Sequence, residues 1–147
     1  MTRRKRLTDV GVVALGGAVG SLARVAVSNA MGAPAATGGF PLATLTVNLI
    51  GALALGALVA VAVHRGGPRW HRARLLLGTG VLGGFTTYSL LASDLATALL
   101  EGQVALALGY AAATVLGGAV VSGLGLCAGR WIAETSGRRG LPAEHTR

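Results

Sequence analysis

Four apolar stretches, each near the ~20 residues that cross a bilayer core, constrain this chain more than any other feature. They run over about 10–30, 41–63, 75–100 and 104–132. Only 12% of the 147 residues are charged and 52% are hydrophobic, with mean hydropathy +0.64. That is too little charge to coat a soluble domain of this size. The chain reads as one all-α membrane domain, residues 1–147, built of four transmembrane helices. Gly32 and Pro34 end the first span, and Pro41 opens the second at a first-turn position where a missing N–H costs nothing. Short connections predict that successive spans pack as antiparallel hairpins.

The charges fall where a membrane topology would put them. Arg3, Arg4, Lys5 and Arg6 precede the first span, Arg65, Arg69, Arg72 and Arg74 lie between the second and third, and Arg130 at the end of the fourth is followed by Arg138, Arg139 and Arg147. The connections 31–40 and 101–103 carry no basic residue. By the positive-inside rule both termini, with tails 1–9 and 133–147, are expected in the cytoplasm of a multi-pass protein of the cell (inner or plasma) membrane. The net charge of +8 thus reflects orientation in lipid; no basic–aromatic alternation suggests nucleic acid. Arg24 interrupts the first apolar stretch, which argues for a retained helix over a cleaved signal peptide. The lone Cys127 is expected as a small buried hydrophobe, and His64, His71 and His145 show no metal-ligand spacing.

Small residues recur four apart, as Gly16/Gly20, Gly80/Gly84 and Gly125/Gly129, a spacing that lets helix backbones approach closely in lipid. Polar residues at membrane depth are costly and become functional candidates. Arg24 is read either as snorkelling to the nearer interface or as drawing anions to a pore mouth. Thr44 and Asn48 lie one turn apart, with Gly51 further along the same face, and the Asn amide can donate two hydrogen bonds. In the third span Gly83-Gly84 weakens the helix by roughly 1 kcal/mol per Gly, and the hydroxyls of Thr86 and Thr87 compete for backbone carbonyls. A break near the bilayer midplane is expected, tolerable only where it is buried or lines a cavity. Freed carbonyls suit a small hard cation, and the ring edge of Tyr88 and hydroxyl of Ser89 suit an anion. Asp94 and Glu101 are placed near the interface. Tyr110, Thr114 and Ser122 follow at roughly helical spacing, Tyr110 as a possible interfacial anchor.

The stretches GGAVGSLAR, PLATLTVNLIG and GVLGGFTTYSLL together resemble the small fluoride channels called Fluc or CrcB, over nearly the whole chain. The resemblance implies an antiparallel dimer with two pores and a structural, untransported Na⁺ at its centre, held by the backbone carbonyls of Gly83 and Thr86. It implies a fluoride path with Asn48, Thr44, Tyr88 and Ser89, joined by Tyr110 and Thr114 on the fourth span. Three positions depart from the family pattern: Ala43 for Gly, Leu90 for Thr and Leu91 for the second Phe of an aromatic pair. A Leu has no positive ring edge, and the one-sided charge disfavours dual insertion. The expected partner in lipid is therefore an oppositely oriented paralogue, with a homodimer as the alternative. The implied function is passive fluoride efflux, with no enzyme activity. The alternatives are a non-conducting structural subunit and a small proton-coupled four-span exporter, the latter lacking its carboxylate deep in the first span.

Overall fold

Small residues decide which helices meet in this protein, and they do not pair neighbours. The computed structural model describes residues 3–32 and 39–138. Helix α1 is Arg3–Met31, α2 is Leu42–Arg65, and α6 is Val104–Arg138. Between them the third region comprises α3 (Gly67–Ala73), a π-helical stretch (Arg74–Leu82), a short α4 (Gly83–Phe85) and α5 (Tyr88–Leu100). Four regions, Arg6–Met31, Leu42–Arg65, Gly67–Leu100 and Val104–Thr135, are long and apolar enough to cross a membrane. Pro34, Arg139, His145 and Arg147 lie outside the described residues.

Two seams hold these regions together, α2 along α6 and α1 along the π-helical stretch and α4. A Cβ on Gly56 would strike the Ser122 carbonyl, and Cβ atoms on Gly125 and Gly129 would strike those of Leu53 and Ala57. Likewise a Cβ on Gly20 would strike the Val81 carbonyl, and one on Gly84 that of Gly17. Contacting residues ascend together in both seams, so each joins parallel helices. The hairpin expectation is thereby corrected. In lipid, apolar side chains gain little by meeting each other, and helix partners are chosen by how closely backbones can approach. The spaced glycines specify first with third and second with fourth, whatever the loop lengths.

Helices also outrun the apolar spans. Residues 3–9 and 133–138, expected as tails, are helical, because helical hydrogen bonding continues past the bilayer while hydropathy reports only the apolar part. Where α2 gives way to α3, Gly66 and Gly67 take φ of 58° and 82°, left-handed angles open to glycine, and Arg65 stacks 5.4 Å over the Trp70 ring. Gly102 (φ 74°) turns α5 into α6. Cys127, expected buried, is exposed on the outer face of α6.

Candidate functional site

The α-helix of the third region stops at Phe85. Thr86 (φ −78°, ψ 158°) and Thr87 (φ −147°, ψ 119°) are extended, and α5 starts afresh at Tyr88. The Gly83-Gly84 pair itself stays helical; the backbone leaves the helix two residues after Gly84, at the Thr pair. Thr86 keeps its N–H and its hydroxyl on the Leu82 carbonyl, each at 2.9 Å, closing the last turn. Thr87 caps α5, its Oγ1 accepting from the Leu90 N–H at 3.2 Å while lying 3.2 Å from the Ser89 hydroxyl.

Asn48 holds the interruption from α2. Its Nδ2 donates to the Thr87 carbonyl at 3.0 Å and its Oδ1 accepts from the Thr87 N–H at 2.8 Å. One side-chain amide thus satisfies the Thr87 N–H, which no helix serves, and adds a donor to the carbonyl with which α5 begins, as a low-dielectric site demands. Gly51, one turn on, has no side chain because the Thr86 methyl occupies that space. From α1, Arg24 Nε and Ser21 Oγ reach the Gly84 carbonyl at 3.2 and 3.5 Å.

In an unbroken helix the carbonyls of Gly83, Gly84 and Thr86 would accept from the N–H groups of Thr87, Tyr88 and Leu90. The Thr87 N–H is on Asn48 and the Leu90 N–H on Thr87 Oγ1, while Gly84 is served by α1. Gly83 and Thr86 are left as main-chain oxygens deprived of their helical donors. Both border an open groove of about 400 Å³ that also takes in Asn48, Tyr88, Leu91 and Thr114. Tyr88 stands 81% exposed at its edge. Among the described residues no group of three or more His, Cys, Asp or Glu could hold a metal; the hard donors at the groove are main-chain, hydroxyl and amide oxygens.

A second cavity of about 620 Å³ lies between the ends of α1, α2 and α5 and takes in Thr44, Leu90 and Asp94. Tyr110, fully buried, donates from its hydroxyl to Asp94 Oδ2 at 3.3 Å, with Thr44 beside the same hydroxyl, and meets Phe40 edge-on at 5.5 Å and 77°. The Thr114 hydroxyl donates to the Tyr110 carbonyl at 2.9 Å, one turn back on α6.

The residues nominated from sequence therefore divide. Asn48, Gly83, Thr86, Tyr88, Leu91 and Thr114 share one groove; Thr44 and Leu90 line the other cavity beside Tyr110; Ser89 is exposed next to Thr87. Arg24 lines neither and reaches the Gly84 carbonyl from α1. Sequence reasoning passed over Thr87 as the partner of Asn48 and Asp94 as the partner of Tyr110, whereas Ser21 flanks Arg24 at helical spacing. Asp94 had a signal: a carboxylate one turn past Leu90 on an otherwise apolar helix needs a donor nearby.

Residues 11–126 match the family described as "CrcB-like protein, Camphor Resistance (CrcB)". The chain is 51% identical over 117 residues to the fluoride-specific ion channel FluC of Paracoccus denitrificans, covering 80% of this chain and 87% of that one. It is 38% identical over 130 residues to fluoride-specific ion channel FluC 1 of Cutibacterium acnes, covering 87% and 90%. Against FluC 1 of Streptomyces coelicolor the identity is 41% over 113 residues, covering 77% and 71%.

Proposed function

This chain belongs to the CrcB family, a family of ion channels and not of enzymes, and on that premise we propose that it is a subunit of a fluoride-selective channel giving passive fluoride efflux. Hydrogen fluoride enters a cell as a neutral weak acid and ionises there; a channel lets the trapped anion leave down its gradient. The observation that carries the reading is the Asn48–Thr87 pairing at a break that borders an open groove. Fluoride is strongly hydrated, so a path for it must replace water with many donors. The second N–H of the Asn48 amide, the Tyr88 hydroxyl and the Tyr88 ring edge are such groups along one groove.

We place the break near the bilayer midplane, with both termini cytoplasmic. The main-chain oxygens of Gly83 and Thr86 fit a structural Na⁺, since both have lost their helical donors and belong to residues that line the groove. When bound, the ion supplies a fixed positive charge at the break. What supports a dimer is exposure. Polar groups and open backbone at membrane depth require protein cover, and on a single subunit the groove stands open with Tyr88 at its edge.

A second reading, a structural subunit that completes a channel without conducting, is favoured by Leu91, which lines the groove where the family pattern has an aromatic ring. Either way the dimer partner is read as an oppositely oriented paralogue. Deleting the gene from its host is expected to lower the fluoride concentration that stops growth, with rescue by the wild-type gene. Unchanged tolerance would overturn the channel reading. Reconstituted alone in liposomes, the chain is expected to give no selective fluoride efflux; efflux without a partner would refute the paralogue.

A further inference from the structure

A groove of about 430 Å³ lies between α2 and the start of the third region, with His71 and Arg74 at one end and Thr79 along its side. It shares Leu55 and Gly78 with the groove that holds Asn48, Gly83 and Thr86. The two grooves therefore adjoin along the protein surface, the first with basic residues at its end and the second reaching the break. Gly78 lies where they meet, and a Cβ there would sit 3.3 Å from Leu58 and 3.8 Å from Leu55.

The winding of residues 74–82 sets the alignment. In a π-helix the hydrogen bonds reach five residues back, as the Gly83 N–H does to the Gly78 carbonyl. Wound this way, Arg74, Gly78 and Thr79, and Gly83 come round to one face, each about a turn from the next. An α-helix, turning every 3.6 residues, would carry Gly83 off the face that Arg74 begins. A π-helical run of nine residues is rare, and such windings concentrate at functional sites.

We propose that Arg74, with His71 beside it, is the anion-gathering mouth of the path, and that the π-helical winding aligns this mouth with the break. The inference rests on the fluoride reading and extends it to residues outside the family motifs quoted above. Arg74 and His71 are exposed, and Arg65, Arg69 and Arg72 stand at the same end of the protein, so the local potential is positive. A cleft lined by one sign of charge raises the local concentration of the opposite ion. Arg74 acts by attraction and makes no claim on the break itself.

The test uses inside-out membrane vesicles from the host, which retain any partner and turn the basic end outward. Fluoride uptake is measured for wild type, Arg74→Gln and Arg74→Glu at matched protein levels. At about 10 mM salt, where the Debye length is ~30 Å, uptake is expected to fall about threefold for Gln and about tenfold for Glu. At about 1 M, where it is ~3 Å, all three are expected to agree within about 1.5-fold. Gly78→Leu, which fills the groove, is expected to block uptake at both. Wild-type flux with Arg74→Glu unaffected at low salt, or reduced equally at both, would overturn the mouth while leaving the channel standing. Flux through Gly78→Leu at the wild-type rate would overturn a path through both grooves. No fluoride uptake by the wild type would overturn the channel reading and the mouth with it.

Discussion

Replacing Asn48 by alanine is expected to abolish fluoride flux and to loosen the third region at once. The substitution strands the Thr87 N–H, whose partner is the Asn48 amide, and removes the side-chain donor from the carbonyl with which α5 begins. A buried polar group left without a partner costs about 1–3 kcal/mol, and the lost bond to the carbonyl adds to that. About 3 kcal/mol against the conducting geometry corresponds to a flux loss of roughly 100-fold. Asn48→Asp separates the two bonds. A carboxylate can still accept from the Thr87 N–H but donates nothing to its carbonyl, so partial retention of thermal stability with loss of flux is expected. Vesicle flux together with a melting curve in detergent checks both. Wild-type flux in Asn48→Ala would remove the residue from the path.

Gly84→Val is expected to be as damaging by a different route. A Cβ at Gly84 runs into the backbone of α1 at Gly17, which has no side chain to swing away. The helices must separate, which breaks the neighbouring Gly16, Gly20 and Gly80 contacts and withdraws Arg24 and Ser21 from the Gly84 carbonyl. Overpacking alone costs about 1–3 kcal/mol, and the orphaned carbonyl adds about 1–3 kcal/mol more. Gly109→Ala and Gly123→Ala are the controls, since a Cβ at either meets nothing within 4 Å. They are expected to melt within about 0.5 kcal/mol of wild type, as surface substitutions do. Equal melting of Gly84→Val and the controls would show that the α1 seam is not tight.

The four membrane regions were legible because hydropathy over some twenty residues is a strong signal, and the glycine pairs were legible as packing surfaces. Which surface met which was not. Gly16/Gly20 and Gly80/Gly84 carry no label naming each other, and loop length misled by favouring neighbours. At the site, Asn48 was legible as a costly amide in an apolar helix, and Thr86-Thr87 as weak helix formers. The backbone of Thr87 as the amide's target was not, because any residue presents the same N–H and carbonyl. The π-helical winding of Arg74–Leu82 left no trace in composition: RLLLGTGVL reads equally well as an α-helix. The Arg24 contact was hidden for a related reason, since a guanidinium in an apolar helix announces a need for an acceptor without saying which.

Because α2 docks on α6, the ribosome must finish the chain before the second helix finds its companion. About 60 residues separate the end of α2 from the far end of that clasp, which at ~5–20 residues per second is a wait of several seconds. Through that interval Gly56 faces lipid with nothing upon it. A message truncated before residue 104 would release a second helix without its companion and with Gly56 bare, a form suited to capture by membrane quality-control proteases.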